Sequence, residues 1–149
     1  YIDQMLEKYN VAASQLWIEI TEQDVLSKAG IVINKLNYLK SKGHVMMIDD
    51  FGMGHTSILY LQSSNFGVVK LDGSLVRDIL DNQTNQQIVS SIVALANKLD
   101  IRIIAEFVEN EQQRDKLLEL GCKWYQGYLY EKPVPLDEFT EFMKDHNNK

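Results

Sequence analysis

Asp49 and Asp50 stand side by side at the end of an apolar run, His44–Ile48, and are followed at once by Phe51-Gly52-Met53-Gly54. A short β-prone run that ends in two carboxylates and then glycine reads as a strand feeding a sharp turn. Adjacent carboxylates repel one another unless a cation is at hand, and hard oxygen ligands of this kind suit Mg2+ or Mn2+. Capping of the turn that follows is the competing, purely structural role for the pair.

Other apolar segments end in a similar way. Leu16–Ile20 carries Glu19 and runs into Thr21-Glu22, and Gly67–Leu71 carries Lys70 and runs into Asp72. Ile101–Ala105 is followed by Glu106 and Glu109, and Lys123–Tyr125 by Gln126-Gly127. Lys70 lies inside Val68-Val69-Lys70-Leu71, a setting in which an ammonium needs an acidic partner. Each residue also has a bland role: Glu22 as a helix-start acid facing the dipole, Glu109 as loop support, Gln126 as a partner for backbone groups. Five segments that all deliver a carboxylate, amine or amide to one edge nevertheless point to the catalytic face of a (β/α) barrel.

The elements that position these groups alternate along the chain. Strands are expected at Leu16–Ile20, His44–Ile48, Gly67–Leu71, Ile101–Ala105 and, weakly, Lys123–Tyr125. Between and around them, helices are expected at Tyr1–Asn10, Asp24–Lys42, His55–Gln62, Gln83–Leu99, Asn110–Leu120 and Leu136–Lys144. Asp24 can cap the second helix and Gly43 stops it. In the fourth, Ile88, Ile92, Leu95 and Leu99 share a face. Asn110 caps the fifth, with Gln113 at the box position and Gly121 after its end. Strands separated by single helices imply right-handed βαβ units, a mostly parallel sheet and the α/β class.

Composition narrows the function classes. The 149 residues are 45% hydrophobic and 24% charged, enough for one domain with a core and too apolar for disorder. A formal net charge of −6 offers no general basic surface to a nucleic acid polymer. The single cysteine, Cys122, allows no internal disulfide and suits a reducing, cytoplasmic setting. No apolar run is long enough to span a bilayer, so no membrane contact is expected from this segment. His44, His55 and His146 form no metal-spaced pair and are read as structural or surface residues. Cys122, Trp17 and Trp124-Tyr125 are read as core.

Taken together, the motifs resemble the EAL family of cyclic di-GMP phosphodiesterases, and they do so in order along nearly the whole chain. Trp17-Ile18-Glu19-Ile20-Thr21-Glu22 is similar to the family's Leu-Glu-Leu-Thr-Glu strand, and Asp49-Asp50-Phe51-Gly52-Met53-Gly54 to its Asp-Asp-Phe-Gly-Thr-Gly loop. Val69-Lys70-Leu71-Asp72 resembles its Lys-Ile-Asp strand, Ala105-Glu106-Phe107-Val108-Glu109-Asn110 its Ala-Glu-Gly-Val-Glu-Thr segment, and Gln126-Gly127-Tyr128 with Lys132-Pro133 its close.

The resemblance implies a partial (β/α)8 TIM-type barrel comprising about its last five β/α units. The Glu-Ala-Leu segment and the other N-terminal strands of that single domain are then absent. It implies a two-metal site for Mg2+ or Mn2+ built from Glu19, Asp49, Asp50 and Glu106. Lys70 would meet the nucleophilic water or the scissile phosphate, and Glu106 would serve as ligand or base. Glu22, Asp72, Glu109 and Gln126 would support the substrate or the loop after Asp50. The implied reaction is hydrolysis of cyclic di-GMP to linear pGpG in a bacterial cytoplasm, by the parent enzyme rather than by this chain alone. A homodimer or other self-association is expected, through edge strands or the His55–Gln62 helix. Phe107 replaces a family glycine and is expected to crowd the site or to demand a different backbone. Two other readings share these acids: a degenerate, non-catalytic EAL receptor or dimerisation module, and an enolase-like Mg-dependent barrel enzyme.

Overall fold

The computed structural model describes residues 1–27, 29–52, 61 and 66–147, with the backbone alone for 25–27, 29–32, 146 and 147. In chain order the elements are α1 (Ile2–Lys8), a 3-10 turn (Ala13–Gln15), β1 (Trp17–Thr21), α2 (Glu22–Ser27), α3 (Ala29–Ser41), β2 (Val45–Phe51), β3 (Val68–Leu71), α4 (Gly73–Val76), α5 (Gln83–Lys98), β4 (Arg102–Ala105), α6 (Glu111–Glu119), β5 (Trp124–Tyr125) and α7 (Leu136–Asn147). The strands form one sheet in the order β1-β2-β3-β4-β5. Every neighbouring pair is parallel. This is the expected α/β architecture, and β1 and β5 are the edges.

The two faces of the sheet differ in chemistry, because side chains alternate along each strand. Met46, Ile48, Val69, Leu71, Ile103 and Ala105 point one way and pack with Leu36, Val76, Val89, Val93 and Leu117 into one buried cluster. On the other face lie Trp17, Glu19, Asp49, Lys70 and Arg102, each an even number of residues from the others on its strand. Contacts across this second face show that the sheet curls. The Arg102 guanidinium on β4 sits 4.6 Å from the ring centre of Trp124 on β5 and 5.3 Å from that of Trp17 on β1. A flat sheet would hold β1 and β4 some three strand spacings apart, roughly 14 Å.

Several expectations change in detail. The region expected as one helix, Asp24–Lys42, is described as two, α2 and α3, and α2 starts at Glu22. Its capping residue is Thr21, whose Oγ1 accepts the Asp24 N–H at 3.2 Å, so Asp24 is the capped residue rather than the cap. β2 continues beyond Ile48 through Asp49, Asp50 and Phe51, with a register shift between Ile48 and Phe51. A bulge therefore carries the two aspartates, with Asp50 at φ 56°. The fully buried residues of α5 are Val89, Val93 and Ala96; of the expected face, Ile92, Leu95 and Leu99 pack partly buried against the same cluster and Ile88 is exposed. Asn110 caps α6 as expected, but Gln113 accepts the Glu109 N–H at 2.8 Å and not that of Asn110. Trp17 and Trp124 are not core: they are 37% and 53% exposed, because they stand on the inner face of the sheet. Cys122 is buried, as is His44, which holds the Leu16 carbonyl through Nδ1 at 3.3 Å. The His55–Gln62 helix lies outside the described residues, except Leu61.

Past β5 the chain turns against the segment that leaves β4. Val108 N–H donates to the Gln126 carbonyl at 3.1 Å, and Leu129 N–H to the Val108 carbonyl at 3.0 Å. Between these bonds a Cβ on Gly127 would overlap the backbone of Val108. Backbone cannot step aside as a flexible side chain can, so Gly127→Ala should destabilise the fold by roughly 2 kcal/mol or more. Urea unfolding followed by circular dichroism measures this; an unchanged midpoint would contradict the packing.

Candidate active site

Four strands deliver charged groups to one point at the C-terminal edge of the sheet. Lys70 Nζ, on β3, lies 2.7 Å from Glu19 Oε1 on β1, 3.1 Å from Asp49 Oδ1 on β2 and 2.7 Å from Glu106 Oε1 after β4. The side chains of Lys70 and Glu106 are buried, and those of Glu19 and Asp49 are partly open. The apolar run around Lys70 makes it the central strand of five, so its ammonium can reach both flanks.

The electrostatics follow from this packing. Burial alone would lower the Lys70 pKa, but its bonds to Glu106, Glu19 and Asp49 outweigh that and drive it upward. Burial pushes Glu106 up, against the pull of Lys70, with Asp49 and Asp50 adding to the rise. Burial also acts to raise Asp49, yet the neighbouring Glu19 side chain and the Lys70 ammonium leave it lowered. Asp50 is raised by desolvation and by the charges of Asp49 and Asp72.

One carboxylate oxygen from each of Asp49, Asp50 and Glu106 lies within 4.8 Å of the others. Asp49 Oδ1 is buried and lacks a hydrogen bond of good geometry, although Lys70 Nζ is close by. An all-oxygen, acidic donor set with a lone pair to spare fits Mg2+ or Mn2+. Glu19 touches Lys70 and neighbours Asp49 but lies outside the trio of oxygens.

The expected supporting residues separate into two sets. Glu22 is buried and its Oε2 accepts the Gly52 N–H at 3.1 Å, fixing the chain just after Asp50. Asp72 Oδ1 accepts the Ser74 N–H at 2.7 Å, which makes it the cap of α4. Glu109 and Gln126 instead line a cavity of about 480 Å3 beside Glu106, together with Arg77, Phe107, Gly127 and Tyr128. Sequence reasoning passed over Arg77 and Tyr128; Tyr128 follows directly on Gln126-Gly127, whereas Arg77 is brought there only by the fold.

The different backbone expected of Phe107 is not what its conformation shows: the residue stands in the region that glycine, the family residue here, favours. It adopts φ 56°, a left-handed conformation that costs a non-glycine residue about 1–2 kcal/mol. Its ring lies on Gly73, where a Cβ would come within 2.5 Å of it, and the Arg77 guanidinium sits 4.5 Å from the ring centre.

Fold and site together define an α/β protein of the TIM-barrel type with an acidic, lysine-centred site on the C-terminal edge of its parallel strands. More narrowly, the chain belongs to the EAL domain family, whose model matches residues 1–133. It is 41% identical over 135 residues to the cyclic di-GMP phosphodiesterase PdeF of Escherichia coli K12, covering 91% of this chain and 18% of that protein. The structure of the EAL enzyme Bd1971 in its cGMP-bound form superimposes with a TM-score of 0.89 at 36% identity, over 96% of this chain and 38% of the other. Klebsiella pneumoniae BlrP1 in its manganese and cyclic di-GMP complex gives a TM-score of 0.85 at 32% identity, over 89% and 34%. The chain thus spans about a fifth of the length of PdeF. The family match leaves the enolase-like reading without support.

Replacing Lys70 by Met would leave its acidic partners without their cation. Loss of one partner of a buried pair costs about 3–5 kcal/mol, so Lys70→Met should destabilise the chain by about 3 kcal/mol at neutral pH. In the unaltered chain the raised Lys70 pKa gives stability that is present below the unfolded lysine value and lost as pH rises through the folded one. In Lys70→Met the deficit should shrink as pH falls and Glu106, whose pKa burial raises, takes up a proton. Chemical unfolding of both proteins across pH measures the difference; a deficit independent of pH would refute the assignment.

Proposed function

We propose that the chain supplies the last five β/α units of an EAL barrel that hydrolyses cyclic di-GMP to linear pGpG. The observation that carries this reading is the convergence of Glu19, Asp49 and Glu106 on Lys70, with Asp50 beside them, in a chain similar to cyclic di-GMP phosphodiesterases. In this reading Asp49, Asp50 and Glu106 hold the cation side of the site and Glu19 joins them. Mg2+ or Mn2+ bound there would activate water and neutralise charge on the phosphodiester. Lys70 contributes a fixed positive charge for the anionic phosphate and keeps the acids at their stations. Glu106, raised by burial, is the residue suited to take the proton of the attacking water if it does not serve as a ligand. Water adds to phosphorus, the P–O3′ bond breaks, and the leaving oxygen is protonated. Glu22 holds the chain after Asp50 in register with the acids. The single thiol and the absence of any helix long and apolar enough to cross a membrane, among the described residues, suit a cytoplasmic reaction.

The second reading is a degenerate EAL receptor, and Phe107 is the observation that favours it. Full-length protein carrying the N-terminal strands separates the two. It should turn over cyclic di-GMP with Mg2+ or Mn2+ and be inhibited by Ca2+, whose longer and looser coordination fits poorly. Asp49→Asn and Glu19→Gln should each lower turnover by about 100-fold or more. Binding without turnover would establish the receptor. The chain alone, with an incomplete set of ligands, should be slower than the full domain by a similar margin or more; chromatographic detection of pGpG at comparable rates would sink that expectation.

Self-association follows from the two open sheet edges. Unpaired parallel strands and an uncovered inner face favour pairing with another chain. Light scattering across a concentration series should show the chain above monomer mass. A monodisperse monomer at high concentration would mean that β1 and β5 are protected.

A further inference from the structure

The three acids whose oxygens converge come from strands that do not pair with one another. Asp49 and Asp50 lie on β2 and Glu106 follows β4, with β3 between them. Two strand spacings, roughly 10 Å, therefore separate the backbones that carry them. What joins the two sides is β3 and its continuation. Asp72 N–H donates to the Phe51 carbonyl at 3.1 Å, and Glu106 N–H to the Leu71 carbonyl at 3.3 Å. Helix α4 then starts at Gly73, capped by Asp72. On one side Leu75, which is buried, covers Gly52, where a Cβ would come within 2.7 Å of Leu75 Cδ1. On the other side the buried Gln113 uses both ends of its amide. Its Nε2 donates to the Arg77 carbonyl, just past α4, at 3.3 Å, and its Oε1 accepts the Glu109 N–H at 2.8 Å. Asn85 Nδ2 ties α4 to α5 through the Ser74 carbonyl at 3.1 Å. A helix of four residues has no stability of its own, so its place is set by these neighbours.

We propose that α4 is the spacer that fixes the separation of the Asp49–Asp50 bulge from Glu106, and that Leu75 and Gln113 are positioning residues for a cation held by these acids. Leu75 blocks movement of Gly52 onto α4, while the Glu22 carboxylate holds the Gly52 N–H. Gln113 keeps Glu109, three residues beyond Glu106, at a fixed place relative to the end of α4. Both act through the backbone, and neither supplies an oxygen to the trio. Mg2+ demands near-octahedral geometry, so a displacement of about 1 Å between two ligand-bearing segments is felt as lost affinity. The inference rests on the reading of Asp49, Asp50 and Glu106 as a cation site.

Titration of the full-length protein with Mn2+, followed by electron paramagnetic resonance, tests it. Leu75→Ala and Gln113→Leu should each weaken Mn2+ binding about 10-fold or more. Leu75→Met keeps the bulk and should hold affinity within about threefold of the unaltered protein. Val76 is buried on the same helix in the apolar cluster. Val76→Ala should lower the urea midpoint but leave Mn2+ affinity within about twofold. Gly73→Ala sets a Cβ 2.5 Å from the Phe107 ring and should also weaken Mn2+ binding; adding Phe107→Ala removes the collision and should recover it. This pair applies the test without deleting Leu75 or Gln113, should either of those variants fail to fold. Unaltered affinity in Leu75→Ala or in Gln113→Leu would overturn the spacer role, because it needs both contacts. Equal loss in Val76→Ala would overturn it by making affinity follow stability alone, as would a loss in Gly73→Ala that Phe107→Ala does not relieve. If the unaltered protein binds no Mn2+, the cation reading itself falls, and the spacer role with it.

Discussion

One ammonium group makes the acidic edge of this sheet possible. Carboxylates from β1, β2 and the end of β4 would repel one another in a partly dry site, and each would tend to take up a proton. Lys70 removes that conflict by standing within 3.1 Å or less of all three. It can do so only because β3 is the middle strand and the sheet is curled, so that groups from either flank lean inward. The same requirement explains why an apolar strand, Val68–Leu71, carries a lysine at all: its stem packs among apolar neighbours and its head meets acids.

A second cation works at the other end of the same face. Arg102 opens β4, four residues before Glu106, and its guanidinium lies over both Trp17 and Trp124. Lys70 thus ties β1, β2 and β4 together at the C-terminal end, and Arg102 ties β1, β4 and β5 at the N-terminal end. The reach of each to β1, Lys70 to Glu19 and Arg102 to Trp17, is what the curl of the sheet shortens. The apolar cluster on the opposite face, under the helices, supplies most of the burial. Cross-sheet cations on the inner face bridge the arc, and the arc brings the acids within reach of one another.

Much of this was legible in the chain because it is local. Caps and stops such as Asn110, Gly43 and Gly121 depend on a few neighbouring residues and fell where expected. The strands fell within a residue or so at their starts, since alternation and glycine boundaries are short-range signals. The extension of β2 through Asp50 was not legible, because a bulge depends on the partner strand. Helix α4 has only four residues and too little pattern to detect. On α5 the expected face packs against the core through Ile92, Leu95 and Leu99, but the most deeply buried stripe is its apolar neighbour Val89, Val93 and Ala96, which only packing distinguishes. Trp17 and Trp124 were misjudged for a related reason: hydrophobicity predicts burial, but not that the inner face of this sheet stands open. Among the site residues, the acids and Lys70 announced themselves by type and position, whereas Arg77 could be found only in three dimensions.

Phe107 and Gly73 show how two unusual residues can be one feature. Taken singly, a phenylalanine at a left-handed position next to Glu106 is a cost, and a glycine at the first position of a helix is a weak choice. Together they are complementary: the missing Cβ at residue 73 is the space that the ring occupies. Against the backbone energy spent at Phe107 stand the contact of its half-open ring with Gly73 and the guanidinium of Arg77, a cation–π contact of about 0.5–1 kcal/mol at an exposed position. Strain of this kind persists only where surrounding structure over-determines it. Here the bonds that flank it, Glu106 N–H to Leu71 and Val108 N–H to Gln126, hold the segment on both sides, so residue 107 must turn whatever its side chain. Glycine would make that turn without cost, and a phenylalanine that accepts the cost places a ring where glycine would leave space.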